Sequence, residues 1–538
     1  MKRAFAFGFI ASAWAGLTLA APASAEESAY GCVGLHQDRT LETIEGRDGM
    51  FFRVAQDIMM QRRYSDRAVD AMGALSAALE TRGTRLVVAL VPTKAVVVPH
   101  LLPEKAEAFG FDFDTAVFVQ RNIQHRLEAA GVTTVDLWPA MHGADKTAVP
   151  FFGTDTHWNA HGAELAASAI AQKISADPFY DALPKTQFST TAVGPVSIIS
   201  SMRRIIQMRC RQSVPEATTT LYETAVAQPL GAIDIGLGDG SLDIGLGDAP
   251  LDIGLGDAPL DIGLGDAQVD IGLGDAPLDI GLDDAPLDIG LGDAQVDIGL
   301  DDAPVDIGLG DAPLDIGLGD APLDIGLGDA PAVATTRSPG QGLPIALVGT
   351  SFSDIPEVNF PGFLAQHSSL ETVNYAITGG GLYSAITSYL TSDDFQSNPP
   401  AFLVWEAPVY LNPMNDGDQP MRELVAAASG TCRQPVALQP GADGQSWIAA
   451  LPQGLSHAET LFLDTGSRAT REVAFRFTAP SGRTRTKSIL RGDRARLNGR
   501  FYMPLSGLWS EGAATVEITA TTPFGASPRL FTCTATPS

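Results

Sequence analysis

The chain has 538 residues and a formal net charge of −28 at pH 7, with 63 acidic against 35 basic side chains. The excess is local: residues 231–329 hold eleven nine-residue repeats of the form Ala-Pro-Leu-Asp-Ile-Gly-Leu-Gly-Asp, free of Lys and Arg, which carry 24 of the acidic residues. Outside them the chain is close to charge-balanced, which argues against a nucleic-acid binder or a basic membrane-surface protein and leaves the acidic pI uninformative about fold or substrate.

Lys2 and Arg3, an apolar run from Ala4 to about Leu19 and then Ala23-Ser24-Ala25 form the layout of a signal peptide, residues 1–25, cleaved before Glu26. That run is too short for a spanning helix, and no later stretch reaches the roughly 18 consecutive apolar residues that one requires. An exported protein is expected. Cys32, Cys210, Cys432 and Cys533 all follow the cleavage site, and an even number in an exported chain favours disulfides. Of the three possible pairings, Cys32 with Cys210 and Cys432 with Cys533 respects the domain boundaries given below.

Ala68 to Arg82 reads as an amphipathic helix, with Val69, Met72, Leu75 and Leu79 at helical spacing and Gly83 as its stop. Leu86 to Val91 is a continuous apolar strand of the kind buried on both faces of a parallel sheet. A helix from about Asp114 to Ala130 and a strand over Val132 to Leu137 follow, and strand, helix, strand argues for an α/β fold with right-handed crossovers. After the repeats, Pro344 to Val348 and Ala401 to Trp405 read as two more buried strands, so the α/β domain resumes and the repeats interrupt it. From about Gly430, short alternating runs such as Val473, Phe475, Phe477 and Val516, Ile518 predict an antiparallel β-sandwich. The expected division is 26–230 and 331–429 for the two parts of the α/β domain, 231–330 for the repeats and 430–538 for the sandwich.

The repeats share their nine-residue period with calcium-binding β-rolls but place Asp differently and carry Pro in most copies. Their Gly, Pro and Asp content, without aromatics, predicts a disordered spacer first and a calcium-responsive solenoid second.

Two segments suit nucleophilic catalysis. In Thr154-Asp155-Thr156-His157-Trp158-Asn159, an extended backbone would put Asp155 and His157 on one side, where the carboxylate could orient the ring. The plainer alternative is that Asp155 or Thr156 caps the following helix, Ala160 to Lys173. In Gly349-Thr350-Ser351-Phe352-Ser353, the serine sits on the turn leaving a central strand, at the sheet edge where α/β proteins place their sites. Its alternative is a helix N-cap. His157 and His161 have zinc-compatible spacing, but neither a glutamate after the first nor a third ligand accompanies them, so no metal is expected.

These motifs, together with Val91-Pro92-Thr93-Lys94, Asn374-Tyr375, Val404-Trp405-Glu406 and the cysteine arrangement, resemble the AlgX/AlgJ family of SGNH-hydrolase-like O-acetyltransferases of bacterial exopolysaccharide export, and within it the AlgX type most closely. The order matches too, with acid and base ahead of the serine. The resemblance implies an SGNH-hydrolase-like parallel sheet flanked by helices and a C-terminal carbohydrate-binding β-sandwich. It implies a periplasmic O-acetyltransferase with Ser351 as nucleophile, His157 as base and Asp155 as its orienter, acting through an acetyl-serine on an exported, acidic, alginate-like polysaccharide without a cofactor. Other readings are an exported carbohydrate esterase or a non-catalytic polysaccharide-binding component. The partners implied are the polymer, a membrane-bound acetyl donor and the export machinery. For the oxyanion, the Ser351 backbone N–H, the glycines Gly379, Gly380 and Gly381, and Asn374 are the candidates, although a clear Gly-x-Asn block is missing. In the sandwich, Arg483, Arg485, Lys487, Arg491, Arg494, Arg496 and Arg500 fall within eighteen residues and are expected to bind polymer carboxylates; their alternative is a solvated edge strand.

Overall fold

The computed structural model describes residues 28–60, 63–143, 148–227, 343–415, 417–442, 445–453, 455 and 457–534, and the backbone of short strands between 233 and 326. The signal-peptide segment 1–25 lies outside the described residues. A five-stranded sheet forms the centre, in the order Thr372–Asn374, Ile345–Val348, Phe402–Pro408, Arg85–Val91 and Thr133–Asp136. Every pairing in it is parallel, and Ile345–Val348 on one side of the repeats joins Arg85–Val91 on the other through the shared neighbour Phe402–Pro408.

The uninterrupted apolar runs follow from burial on both faces. Val87, Ala89, Ile345, Leu347, Phe402 and Val404 pack on one side with Ala163, Ile170 and Phe363. Their neighbours Leu86, Val88, Ala346, Val348, Leu403 and Trp405 pack on the other with Leu75, Leu79 and Leu424. The expected helices are Asp66–Glu80, capped by Ser65, Phe113–Ala129, capped by Asp112, and Ala160–Ser175, capped by Asn159. The edge strand Thr372–Asn374 and a long hairpin, Phe188–Ser197 with Thr218–Val226, carry no sequence expectation.

Of the repeats, only the backbone of short strands is described. Their described backbone is a series of short strands, from Ile233–Leu237 to Leu323–Gly326, in which alternate repeats pair parallel and in register, Leu260 with Leu278 and Leu278 with Val296. The result is one five-stranded and one six-stranded sheet. The physical reason lies in each copy. Leu-Asp-Ile-Gly-Leu has an apolar residue at every second position, the period of a strand, and near-identical copies supply neighbours in matching register.

Residues 432–533 form two antiparallel sheets around a core of Val473, Phe475, Phe477, Phe501 and Ile518. The first strand, Cys432–Val436, pairs with the last, Arg529–Cys533, and the disulfide Cys432–Cys533 joins their ends, while Cys32–Cys210 closes the other expected loop. Among the described residues no helix is long and apolar enough to cross a membrane.

The sandwich is tied to the helix Gln419–Ser429 by a bidentate pair, Arg491 to Glu423 at 2.8 and 2.7 Å, with Glu423 also accepting the Tyr502 N–H at 3.1 Å. Glu423 is buried, and the Arg491 side chain is 10 % exposed. Arg491→Ala leaves Glu423 charged and unpaired, and a loss of about 3 kcal/mol in urea unfolding is expected.

Candidate active site

The segment preceding the helix Ala160–Ser175 doubles back on itself. Phe151 bridges Trp158, Phe152 N–H donates to His157 O at 3.1 Å, and Asn159 N–H donates to Pro150 O at 3.1 Å. Asn159, not Asp155 or Thr156, caps the helix, its Oδ1 accepting from Gly162 N–H. Asp155 is thereby left for the histidine. It meets His157 through a tight turn in place of the strand alternation that the sequence suggests: Oδ1 accepts both the His157 backbone N–H at 3.0 Å and the ring Nδ1–H at 2.5 Å. With the proton on Nδ1, the other ring nitrogen is the acceptor, and Nε2 lies 2.7 Å from Ser351 Oγ.

Ser351 begins the short helical turn Ser351–Asp354 directly after Ile345–Val348. Thr350 caps that turn, so the N-cap alternative for Ser351 does not hold. The two halves lock together through Phe352, whose carbonyl accepts the Trp158 Nε1–H at 2.8 Å and whose ring lies edge-on to His157, centroids 4.8 Å apart.

Beneath this relay sit three groups to which the sequence reading gives no role. Ser200, the N-cap of Ser201–Gln207, donates from Oγ to Asp155 Oδ2 at 2.5 Å while accepting from Arg203 N–H. Burial alone would raise the Asp155 carboxyl; the hydrogen bond and charge of His157, then the Ser200 bond, outweigh it and hold the group well below the usual carboxylate range. Lys94 is 1 % exposed, and its Nζ donates to the carbonyls of Phe51 (2.8 Å), Asp155 (2.8 Å) and Gly153 (3.2 Å). Burial pulls its ammonium down to about 8, against the opposing charges of Asp57 and Asp155. Glu406, fully buried on Phe402–Pro408, accepts from the turn that carries Ser351. Ser200 offers no sequence signal, whereas Lys94 and Glu406 lie in motifs already noted.

The oxyanion candidates separate. Asn374 Nδ2 donates to Ser353 O at 2.8 Å, and Gly380 N–H donates to Ile377 O at 3.2 Å, so both are engaged in holding the turn and its neighbouring loop. The Ser351, Gly379 and Gly381 amides enter no hydrogen bond among the described residues. Asp354 fixes that loop, accepting Thr378 N–H at 2.6 Å.

The sandwich cations separate as well. Arg483 pairs with Glu511, Arg485 donates to Gly507 O, Lys487 to Pro504 O and Ser506 O, Arg491 to Glu423, and Arg500 to Asp393 and Thr391 O. Arg494 and Arg496 are exposed and have no acidic partner among the described residues. Arg494 lies beside Gly379. Arg496 lines a cavity of about 270 Å³ between the two domains, with Tyr375, Asp393, Arg468 and Asn498.

Residues 43–243 and 339–409, about half of the chain, match the family model described as SGNH hydrolase-like domain, acetyltransferase AlgX. The chain is 26% identical over 387 residues to the alginate biosynthesis protein AlgX of Pseudomonas aeruginosa; the alignment takes in 72% of this chain but 59% of that protein, so the chain spans under two thirds of this relative's length. A shorter stretch of 122 residues, 23% of this chain and 25% of the relative, is 35% identical to a probable alginate O-acetylase AlgJ of Pseudomonas fluorescens. The fold resembles the solved structure of Pseudomonas aeruginosa AlgX with a TM-score of 0.61 at 21% identity, covering 96% of this chain and 99% of that one.

Proposed function

The chain belongs to the SGNH hydrolase-like acetyltransferase family of AlgX, and from that premise we propose that it is a periplasmic O-acetyltransferase carrying acetyl groups on Ser351 to hydroxyls of an exported, acidic, alginate-like polysaccharide. The observation that carries this reading is the unbroken relay from Asp155 through His157 to Ser351, at 2.5 and 2.7 Å. The names of the relatives, alginate biosynthesis protein and probable alginate O-acetylase, support the choice of polymer. Two disulfides and the lack of a spanning helix among the described residues support an exported location.

In this reading His157 Nε2 takes the Ser351 proton as Oγ attacks the acetyl carbonyl of a donor. The imidazolium, stabilised by Asp155, returns that proton to the leaving group, and acetyl-serine remains. A sugar hydroxyl then loses its proton to Nε2 and attacks the acetyl-serine, which restores Ser351 and yields the O-acetyl sugar. The Ser351 amide and an amide of Gly379 or Gly381 are the oxyanion donors we assign, because Gly380 and Asn374 are engaged elsewhere. The acetyl donor is a membrane-bound partner within the export machinery. No cofactor enters the scheme.

Arg494 and Arg496 are the cations we assign to the polymer's carboxylates. The paired Arg494→Ala and Arg496→Ala variant weakens binding of a polyuronate oligosaccharide about tenfold or more in titration calorimetry, whereas Arg483→Ala changes it little. The function itself is tested by incubating the protein with an acetyl ester and that oligosaccharide. Oligosaccharide gaining acetyl groups is the expected product. Free acetate alone would make the protein an esterase, and acetylation in cells that survives Ser351→Ala would make it a binding component.

A further inference from the structure

Glu406 lies one residue past the pairing of Val348 with Trp405, so its strand delivers a carboxyl group under the turn Gly349–Ser353. Its oxygens receive the Thr350 N–H at 2.6 Å, the Thr350 hydroxyl at 3.1 Å and the Ser353 hydroxyl at 3.1 Å. The direction of these bonds is set by their surroundings. The Thr350 N–H can only donate, and the Thr350 Oγ1 already accepts from Phe352 N–H, which sends its own hydrogen to Glu406. An acceptor-only group, the carboxylate, is what this cradle fits. There is no room for anything more at Gly349, where a Cβ would stand 2.5 Å from Glu406 Oε2.

We propose that Glu406 is the positioning residue of the nucleophile: as a carboxylate it closes the Gly349–Ser353 turn and holds Ser351 in line with His157, and when protonated it releases one of those bonds and the alignment with it. The inference rests on the acetyl-serine reading and deepens it. Burial drives Glu406 up to about 7, against the Thr350 and Ser353 bonds and the charge of His157, which lower it. No basic side chain pairs with Glu406 among the described residues. Of the groups packed around it, Thr350, Ser353, Trp405 and Ala89 are uncharged, Asp354 is turned to Thr378 N–H, and His157 is the titratable side chain whose charge acts on it.

The sign of the stability effect is opposite to that of the rate. The carboxyl of an unfolded chain titrates near 4.5, so between about 4.5 and 7 the folded protein holds a proton that the unfolded chain has released, and this group's contribution falls as pH rises. The ionised form therefore lowers global stability while ordering the turn. Glu406 and His157 interact, so the rate profile reports the pair.

The test uses the full exported chain and its Glu406→Gln variant, with urea unfolding and the rate of Ser351 acetylation by 4-nitrophenyl acetate both followed from pH 4.5 to 8.5. Wild type is expected to lose stability relative to Glu406→Gln across the window. Its acetylation rate falls more steeply on the acid side, by one proton, because His157 and Glu406 must both be unprotonated. At pH 8 the variant is about tenfold to a hundredfold slower, since a glutamine offers one acceptor to three donors. A variant equal to wild type in rate and steepness overturns the inference and leaves acetyl-serine chemistry standing. A folded wild type that never acetylates Ser351 overturns that chemistry, and the inference with it. Should Glu406→Gln not fold, Ser353→Ala keeps the carboxyl but removes a donor, and the acid midpoint moves upward by about half a pH unit or more; an unmoved midpoint overturns the inference.

Discussion

Asp155→Asn lowers the rate of Ser351 acetylation by about 10³ to 10⁴-fold while leaving the protein folded. The reason is a count of donors. The carboxylate accepts from His157 N–H, His157 Nδ1–H and Ser200 Oγ–H, and an asparagine has one acceptor oxygen for all three. With its amide nitrogen toward the ring, Nδ1 must become the acceptor and the proton moves to Nε2. The ring then aims an N–H at Ser351 Oγ, the reverse of what a base requires. Ser200→Ala removes one donor and keeps the tautomer, so its expected cost is much smaller, about tenfold. Both rates are read from nitrophenolate release in the first turnover, with circular dichroism as the control for folding.

Lys94→Met acts on stability and rate together. Three backbone carbonyls converge on Lys94 Nζ from two segments, the strand residue Phe51 and the loop residues Gly153 and Asp155, in a site closed to water. Methionine fills similar volume and donates to none of them, and the stranded acceptors cost about 3 kcal/mol in urea unfolding. The relief of desolvating an ammonium offsets part of that loss. The loop that presents Asp155 and His157 loses its tether, so acetylation slows by about 10²-fold as the relay lengthens. Lys94→Arg does not restore the rate, because a planar fork cannot replace a compact ammonium among three converging carbonyls.

The polar network also explains what could be read from the sequence. The sheet was legible because its strands are buried on both faces, which leaves uninterrupted apolar runs such as Leu86 to Val91. Asp155, His157 and Ser351 stood out as candidates because they sit in two short local motifs, but those motifs fit helix caps as well, and the resemblance to the AlgX/AlgJ family is what gave them their roles. Ser200 did not stand out, since it reaches Asp155 from 45 positions away through the cap of a separate helix. Lys94 and Glu406 stand in recognisable motifs, but their partners are backbone carbonyls and a backbone amide, which no spacing encodes. The basic cluster divides in a way that its spacing does not encode. Its density suggested one open face, whereas Arg491 and Arg500 pair with acidic residues of the α/β domain and Arg483 pairs with Glu511. In the repeats, the Gly and Pro content that suits disorder stands beside a period-two apolar pattern within each copy that suits strands.

The central claim is that Ser351 carries the acetyl group. Intact-protein mass spectrometry after brief exposure of the protein to 4-nitrophenyl acetate tests it directly. The account predicts one added acetyl group, about 42 Da by its formula, located on Ser351 by peptide mapping and absent from Ser351→Ala. A folded wild type that gains no acetyl group, or gains it equally in Ser351→Ala, would contradict it.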